Sequence, residues 1–246
     1  MSTFYGLFAQ ALKDYWTRYQ VDGRIPEDAP SESITRERRI DGFTRTVPLK
    51  EFVTDSAHFW NFIDHQILNF RAGTILDVGS GSGRVSRYLV DLGDDPLALD
   101  GEQDAVDVCS LRGIRAIKRQ LEDIADLGTF DTVIALGVLE GLPDDRIINI
   151  LTRARAIMNP GGVILATSYQ LLPHPEHATA LSVSPGQYES RIHYRGEISD
   201  WKLLFRHTVN EWRSLATSAG WTFRLLMQSA MNLSFNDYVY YGFMLT

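Results

Sequence analysis

The stretch that most constrains this chain runs from Ile75 to Val85. It reads Ile-Leu-Asp-Val-Gly-Ser-Gly-Ser-Gly-Arg-Val, an apolar run followed by three alternating glycines. The apolar run over 74–78 predicts a buried strand, and the spacing over 84–92 predicts a helix. A strand, a glycine turn and a helix form the first unit of a nucleotide-binding α/β fold, because glycines let backbone N–H groups approach a ligand closely.

The residues around these glycines bear on the kind of ligand. A dinucleotide fingerprint would place its third glycine at position 84, which is Arg84, and a P-loop would place Lys before Ser or Thr there. Asp77 stands two residues before the first glycine, where its carboxylate would repel a pyrophosphate and suit an ammonium or sulfonium group. A loop that only turns a corner is the alternative without function.

The pattern D-x-G-x-G-x-G from Asp77 to Gly83 resembles motif I of the class I S-adenosylmethionine (SAM)-dependent methyltransferases. The resemblance is strong over 70–168 and continues over 207–246 in arrangement only. Asp100 ends the next predicted strand, 96–100, and the resemblance implies that Asp100 and Gly101 hold the ribose of SAM.

Two later segments extend the resemblance. Around Leu121, the match to the family's adenine loop leaves two alternatives for contact with the exocyclic amine, Gln120 and Glu122. The predicted strand 130–136 leads to a Val-Leu-Glu-Gly-Leu-Pro segment in which Gly141 replaces a frequent His. The cofactor residues implied by the resemblance are Asp77, Gly79, Ser80, Gly81, Gly83, Asp100, Gly101, Gln120, Leu121, Glu122, Leu136 and Gly137.

The implied architecture is α/β, a doubly wound, mostly parallel seven-stranded sheet of Rossmann-like type whose final strand is antiparallel. We expect residues 1–70 to form an N-terminal helical lid or cap, with predicted helices over 4–19 and 56–70. Residues 71–246 form the SAM-binding domain, and 169–206 form a substrate cover inserted after the fifth strand. The arginines over 36–50 indicate a solvated face or a patch that meets an anionic substrate.

The function that the resemblance implies is methyl transfer from SAM to a small molecule, by in-line displacement, at a hydroxyl or carboxylate oxygen. A hydroxyl acceptor needs a base, for which His193, His174 and Tyr194 are the candidates. An anionic acceptor needs none. No acid ends the predicted strand 130–136, so we expect no metal. An NAD-dependent oxidoreductase and a SAM-binding regulatory protein without transfer activity are the alternatives.

Composition limits the classes of partner that we expect the protein to bind. A net charge of −7 argues against a general nucleic-acid binder, whose affinity depends on Lys and Arg. Cys109 is the single cysteine, which excludes an internal disulfide and favours a cytoplasmic protein. No apolar run reaches the roughly 18 residues of a membrane span. We therefore predict a monomer or homodimer without a membrane or nucleic-acid partner.

Overall fold

The computed structural model describes residues 2–39, 44–53, 62–171, 187–233 and 236–246. The strands in chain order are β1 (Ser33–Arg38), β2 (Thr44–Pro48), β3 (Ile75–Val78), β4 (Leu97–Asp100), β5 (Ala116–Lys118), β6 (Phe130–Leu136), β7 (Met158–Leu171), β8 (Gln187–Tyr194), β9 (Glu197–Ile198), β10 (Lys202–Phe205), β11 (Phe223–Leu233) and β12 (Asn236–Leu245). The helices are α1 (Phe4–Tyr19), α2 (Lys50–Val53), α3 (Phe62–Ile67), α4 (Arg84–Asp91), α5 (Gln103–Leu111), α6 (Asp144–Ala154) and α7 (Val209–Ser218), with 3-10 turns at Leu68–Phe70, Leu139–Gly141 and Arg155–Ile157.

Seven strands form the predicted doubly wound sheet, in the order β11-β12-β7-β6-β3-β4-β5. The pairs β3–β6, β6–β7 and β4–β5 are parallel, whereas β12 is antiparallel to both β7 and β11. The fold class and the antiparallel final strand are therefore confirmed. The sheet order reverses between β3 and β6, and in open α/β sheets such a switch point is where ligands bind.

A second, antiparallel sheet was not predicted. Its strands run in the order β10-β8-β1-β2, with β9 paired to β8. β1 and β2 overlap the arginine-containing segment 36–50, and β8, β9 and β10 lie within the predicted substrate cover 169–206. In β1 the single buried residue is Ile34, so the alternation of apolar and polar residues that identifies a strand is almost absent.

Contacts divide the chain into two compact units. The described residues within 1–60, 79–120 and 189–202 form the first, and those within 61–78, 121–188 and 203–246 form the second. The N-terminal segment thus shares a unit with the glycine turn, α4 and α5. The prediction that residues 1–70 act as a lid stays a prediction.

The core of the first unit is built around α1, whose predicted bounds are confirmed. Its buried face packs against α5 and against one side of the second sheet. Lys13 adds polar contacts to α5, since its Nζ lies 2.7 Å from Asp104 Oδ1 and 2.6 Å from Asp107 Oδ2. The buried members of this core include Phe4, Leu7, Leu12, Tyr15, Trp16, Ile34, Val47, Val108, Ile192 and Tyr194.

In the second unit, β12 carries much of the core. Trp212 of α7 is fully buried, and its ring centroid lies 5.1 Å from that of Phe243. A capping box starts α7, because Thr208 accepts the N–H of Glu211 and the Glu211 side chain accepts the N–H of Thr208. These contacts stabilise the antiparallel end of the sheet.

We predict that two glycines of the turn tolerate alanine unequally. Gly83 has φ +72°, and a Cβ there would lie 2.6 Å from Ile114 Cδ1 and 2.8 Å from Cys109 Sγ. Gly81 has φ +55°, but a Cβ there would meet nothing within 4 Å. Both substitutions force a left-handed backbone at a cost of about 1–2 kcal/mol, and Gly83→Ala adds a steric clash of roughly 1–3 kcal/mol.

Urea unfolding of both variants measures the difference. Gly81→Ala serves as the matched control for backbone strain. Equal losses in the free energy of unfolding would contradict the close packing beneath Gly83.

Candidate functional site

The glycine turn of the first unit is fixed to β4 by backbone hydrogen bonds. The N–H of Ser80 donates to the carbonyl of Leu99 (3.0 Å), and the N–H of Gly83 donates to that of Ser80 (2.9 Å). Gly79, Gly81 and Gly83 all have positive φ, at +64°, +55° and +72°. Three left-handed residues in five require glycine, which accounts for the alternating pattern in the sequence.

Asp100 lies at the carboxyl end of β4 and connects β4 to this turn. Its Oδ2 accepts the N–H of Gly81 and its Oδ1 accepts the N–H of Glu102, both at 2.9 Å. Burial raises the pKa of the Asp100 carboxyl, and these backbone N–H groups offset part of that rise. Each carboxylate oxygen retains lone pairs for a further donor such as a hydroxyl.

Two more predicted residues lie together in the same unit. A Cβ on Gly101 would be 3.0 Å from Nε2 of Gln120, so the Gln120 side chain lies directly beside Gly101. In the second unit, Glu122 Oε1 accepts two bonds from Arg146, from Nε at 2.8 Å and from Nη2 at 2.6 Å. Of the two alternatives for adenine contact, Gln120 thus lies beside Gly101, and Glu122 forms an ion pair with Arg146 of α6.

Three further contacts that the sequence did not predict hold the glycine turn. The hydroxyl of Ser82 donates to the carbonyl of Phe52, and Arg84 Nη1 donates to that of Glu51 (3.0 Å). Arg112 Nη1 donates to the carbonyl of Ser82 (2.9 Å). The presence of Arg84 where a dinucleotide fold has glycine was the visible signal, and its guanidinium fastens α2 to the turn.

The second unit contains the other predicted cofactor residues. Asp77 is buried in β3 and pairs in register with Ile134 of β6. Leu136 ends β6, and Gly137 follows it with φ +69°. The N–H of Gly137 donates to Thr167 Oγ1 at 3.1 Å, and a Cβ on Gly137 would meet nothing within 4 Å.

Two of the predicted bases belong to the second sheet. His193 Nε2 lies 2.6 Å from Glu37 Oε2, which also accepts Arg191 Nε at 2.8 Å. Tyr194 points to the opposite side of β8, into the core around α1, where burial raises the pKa of its phenol. His174 lies outside the described residues. The assignment of each as a base stays a prediction.

Across the described ranges, no group of three or more His, Cys, Asp or Glu side chains is placed to hold a metal ion. Within those same ranges, no helix combines the length and apolarity that crossing a membrane requires.

Comparison with known proteins shows what this chain is similar to. Residues 75–162, which contain the glycine turn, Asp100 and Gly137, match the family model described as a methyltransferase domain. A SAM-dependent methyltransferase from Bacteroides fragilis, solved with S-adenosyl-L-homocysteine, aligns over 100% of this chain and 96% of its own at a TM-score of 0.79 and 19% identity. Residues 75–162 thus match a methyltransferase domain, and the chain has the fold of a solved SAM-dependent methyltransferase. The resemblance inferred from the glycine turn is confirmed.

Named relatives of the chain match over shorter spans. The ubiquinone biosynthesis O-methyltransferase of Xanthomonas oryzae is 28% identical over 137 residues, covering 52% of this chain and 55% of that protein. The enzyme of the same name from Azorhizobium caulinodans is 29% identical over 175 residues, covering 68% of this chain and 63% of that protein. The chain therefore spans little more than half the length of the named relatives it matches.

We predict that Asp100→Asn loses stability relative to wild type as the pH is lowered from about pH 8 to about pH 4.5. A raised pKa means that the native state binds the Asp100 proton more tightly than the unfolded state does. The associated stability is complete below the unfolded pKa and is lost as pH rises through the folded pKa. Asparagine does not titrate, so only wild type gains stability on acidification. The variant also loses a backbone hydrogen bond at every pH, because its amide nitrogen cannot accept an N–H.

Urea unfolding between about pH 8 and about pH 4.5 tests this sign. Asp95→Asn is the control, since Asp95 lies near the amino end of β4 with its side chain 83% exposed. A stability difference between variant and wild type that is the same at both pH values would contradict a raised pKa of the Asp100 carboxyl.

Proposed function

We propose that this methyltransferase moves the methyl group of SAM to an oxygen atom of a small molecule. The observation that supports the cofactor in this proposal is the buried carboxylate of Asp100, which accepts the N–H of Gly81 at the carboxyl end of β4. Burial raises the pKa of this acid, and its bonds to backbone N–H groups offset only part of that cost. A ribose hydroxyl is the kind of donor that would repay this cost.

The residues present fit SAM better than a dinucleotide. Gly81 has open space on its Cβ side, where backbone can approach a ligand. Asp77 and Asp100 are both acidic, which suits a ligand with ammonium and sulfonium groups and disfavours a pyrophosphate. We assign Asp100 and Gly101 to the ribose and Gln120 to the adenine side. Leu136 and Gly137 are assigned to the methionine part.

The sulfonium of bound SAM supplies a methyl group that is already activated toward nucleophiles. The protein then has to align the acceptor with that methyl group and exclude water, and alignment alone can lower the barrier by several kcal/mol. Fastening the glycine turn on two sides, through Asp100 and through Ser82 and Arg84, provides such alignment for the cofactor.

The names of two matched relatives support an oxygen acceptor, since both are named as O-methyltransferases. A hydroxyl acceptor requires a base, and His193, His174 and Tyr194 are the candidates from the sequence. Within this set, His193 has a carboxylate partner, Glu37, that would stabilise the imidazolium formed when the base takes a proton. A carboxylate acceptor would need no base.

We predict that Asp100→Asn weakens the binding of S-adenosyl-L-homocysteine by roughly 1–3 kcal/mol, because one partner of a buried hydrogen bond is lost. Isothermal titration of both proteins measures the difference. Asp95→Asn should bind like wild type. Unchanged affinity of Asp100→Asn would place the ribose elsewhere.

Transfer itself is tested with methyl-tritiated SAM and a panel of phenols, aliphatic alcohols, carboxylates and amines. We expect label on an oxygen acceptor, and label on amines alone would contradict the proposal. For a hydroxyl acceptor, His193→Ala should lower turnover by about 100-fold or more at saturating substrate. A change below about threefold, far under that range, would remove His193 as the base.

A further inference from the structure

Four groups from distant parts of the chain form one hydrogen-bonded series in the second unit. The N–H of Gly137 contacts Thr167 Oγ1 at 3.1 Å, and Thr167 Oγ1 lies 2.8 Å from the Tyr240 hydroxyl. The Tyr240 hydroxyl in turn bonds to Oδ1 of Asp64 in α3. Thr167 is 1% and Asp64 is 8% exposed. A buried carboxylate is thus linked by two side chains to the first residue after β6.

The chemistry of Tyr240 determines which group donates and which accepts in each hydrogen bond of the series. Burial, the Asp64 carboxylate and Glu140 all raise the pKa of the Tyr240 phenol well above its ordinary value, so the phenol remains protonated. Its one proton is best donated to the charged carboxylate. The Thr167 hydroxyl then donates to the Tyr240 oxygen and accepts the N–H of Gly137.

The position of this series relates it to ligand binding. Gly137 lies at the carboxyl end of β6, beside the point where the sheet order reverses. Its left-handed backbone and the open space on its Cβ side leave room for a ligand to approach. In the proposed function, this is where the methionine part of SAM, including its sulfonium, is held.

Burying a carboxylate costs free energy, and a neutral side chain could accept the Tyr240 proton equally well. What a neutral residue cannot provide is a negative charge in a medium of low dielectric constant, where charges interact more strongly than in water. The ligand changes charge during the proposed reaction, since the sulfonium of SAM becomes the neutral thioether of S-adenosyl-L-homocysteine.

We propose that Asp64, held in place by Tyr240 and Thr167, makes the site prefer positively charged SAM over its neutral product. This inference rests on the proposed function. Asp64 acts as a residue of cofactor specificity: it favours binding of the charged substrate, and its attraction is lost once the methyl group has left. The product is then released more readily.

The test is to titrate SAM and S-adenosyl-L-homocysteine separately into wild type, Asp64→Asn and Asp64→Glu. Asp64→Asn should weaken SAM binding about tenfold more than it weakens product binding, the scale of one partly screened charge pair. Asp64→Glu restores the charge and should restore the preference. Asp145→Asn removes an exposed acid of α6 and should behave like wild type.

The outcomes separate this inference from the proposed function. Binding of neither ligand by wild type would contradict the proposed function itself. Binding of both ligands, with Asp64→Asn weakening both to the same extent, would reduce Asp64 to a structural role and overturn the inference.

If Asp64→Asn fails to fold, Tyr240→Phe provides the second variant. It removes the hydroxyl that holds the Asp64 carboxylate in place, and the ratio of SAM to product affinity should fall. An unchanged ratio in folded Tyr240→Phe would also overturn the inference.

Discussion

The hydrogen bond from the N–H of Gly81 to the carboxylate of Asp100 is the contact on which the candidate site depends. It joins the glycine turn to the carboxyl end of β4, and it does so with an acid whose burial raises its pKa. The turn can present its N–H groups this way because Gly79, Gly81 and Gly83 adopt left-handed backbone conformations. A side chain at these positions would incur strain, and at Gly83 it would also collide with the packing beneath.

The N-terminal segment supports this turn through specific contacts within the same compact unit. Carbonyl groups of α2 accept bonds from Ser82 and Arg84, while the guanidinium of Arg112 lies over the ring of Trp16 in α1 and donates to the carbonyl of Ser82. A substitution in α1 or α2 therefore affects the glycine turn, because only one or two side chains separate each helix from it. This arrangement gives the N-terminal segment a role in holding the turn, whether or not it also closes over a substrate.

Sequence patterns predicted the elements whose signals are local. The bounds of α1 and β6 agree with the predicted 4–19 and 130–136, because amphipathic spacing and a continuous apolar run identify them. The second sheet was missed because β1 and β8 pair residues far apart in the chain, and because their outward residues, such as Glu37 and Arg191, give no apolar alternation.

The residues of the candidate site were likewise predictable only where their sequence signal is local. Motif I and Asp100 were recognisable because their spacing lies within one βαβ unit, and the structure brings Gly81 to Asp100 and Gln120 to Gly101. The series from Gly137 to Asp64 was not recognisable, because its members come from segments that only the folded chain brings together.

In the proposed function, the glycine turn and Asp100 bind SAM and not a dinucleotide. The decisive measurement is isothermal titration of the wild-type protein with S-adenosyl-L-homocysteine, run beside NADH. We expect micromolar binding of S-adenosyl-L-homocysteine and no heat with NADH. Heat with NADH and none with S-adenosyl-L-homocysteine would rule out SAM as the ligand, because Arg84 would then be a tolerated departure from a dinucleotide fingerprint.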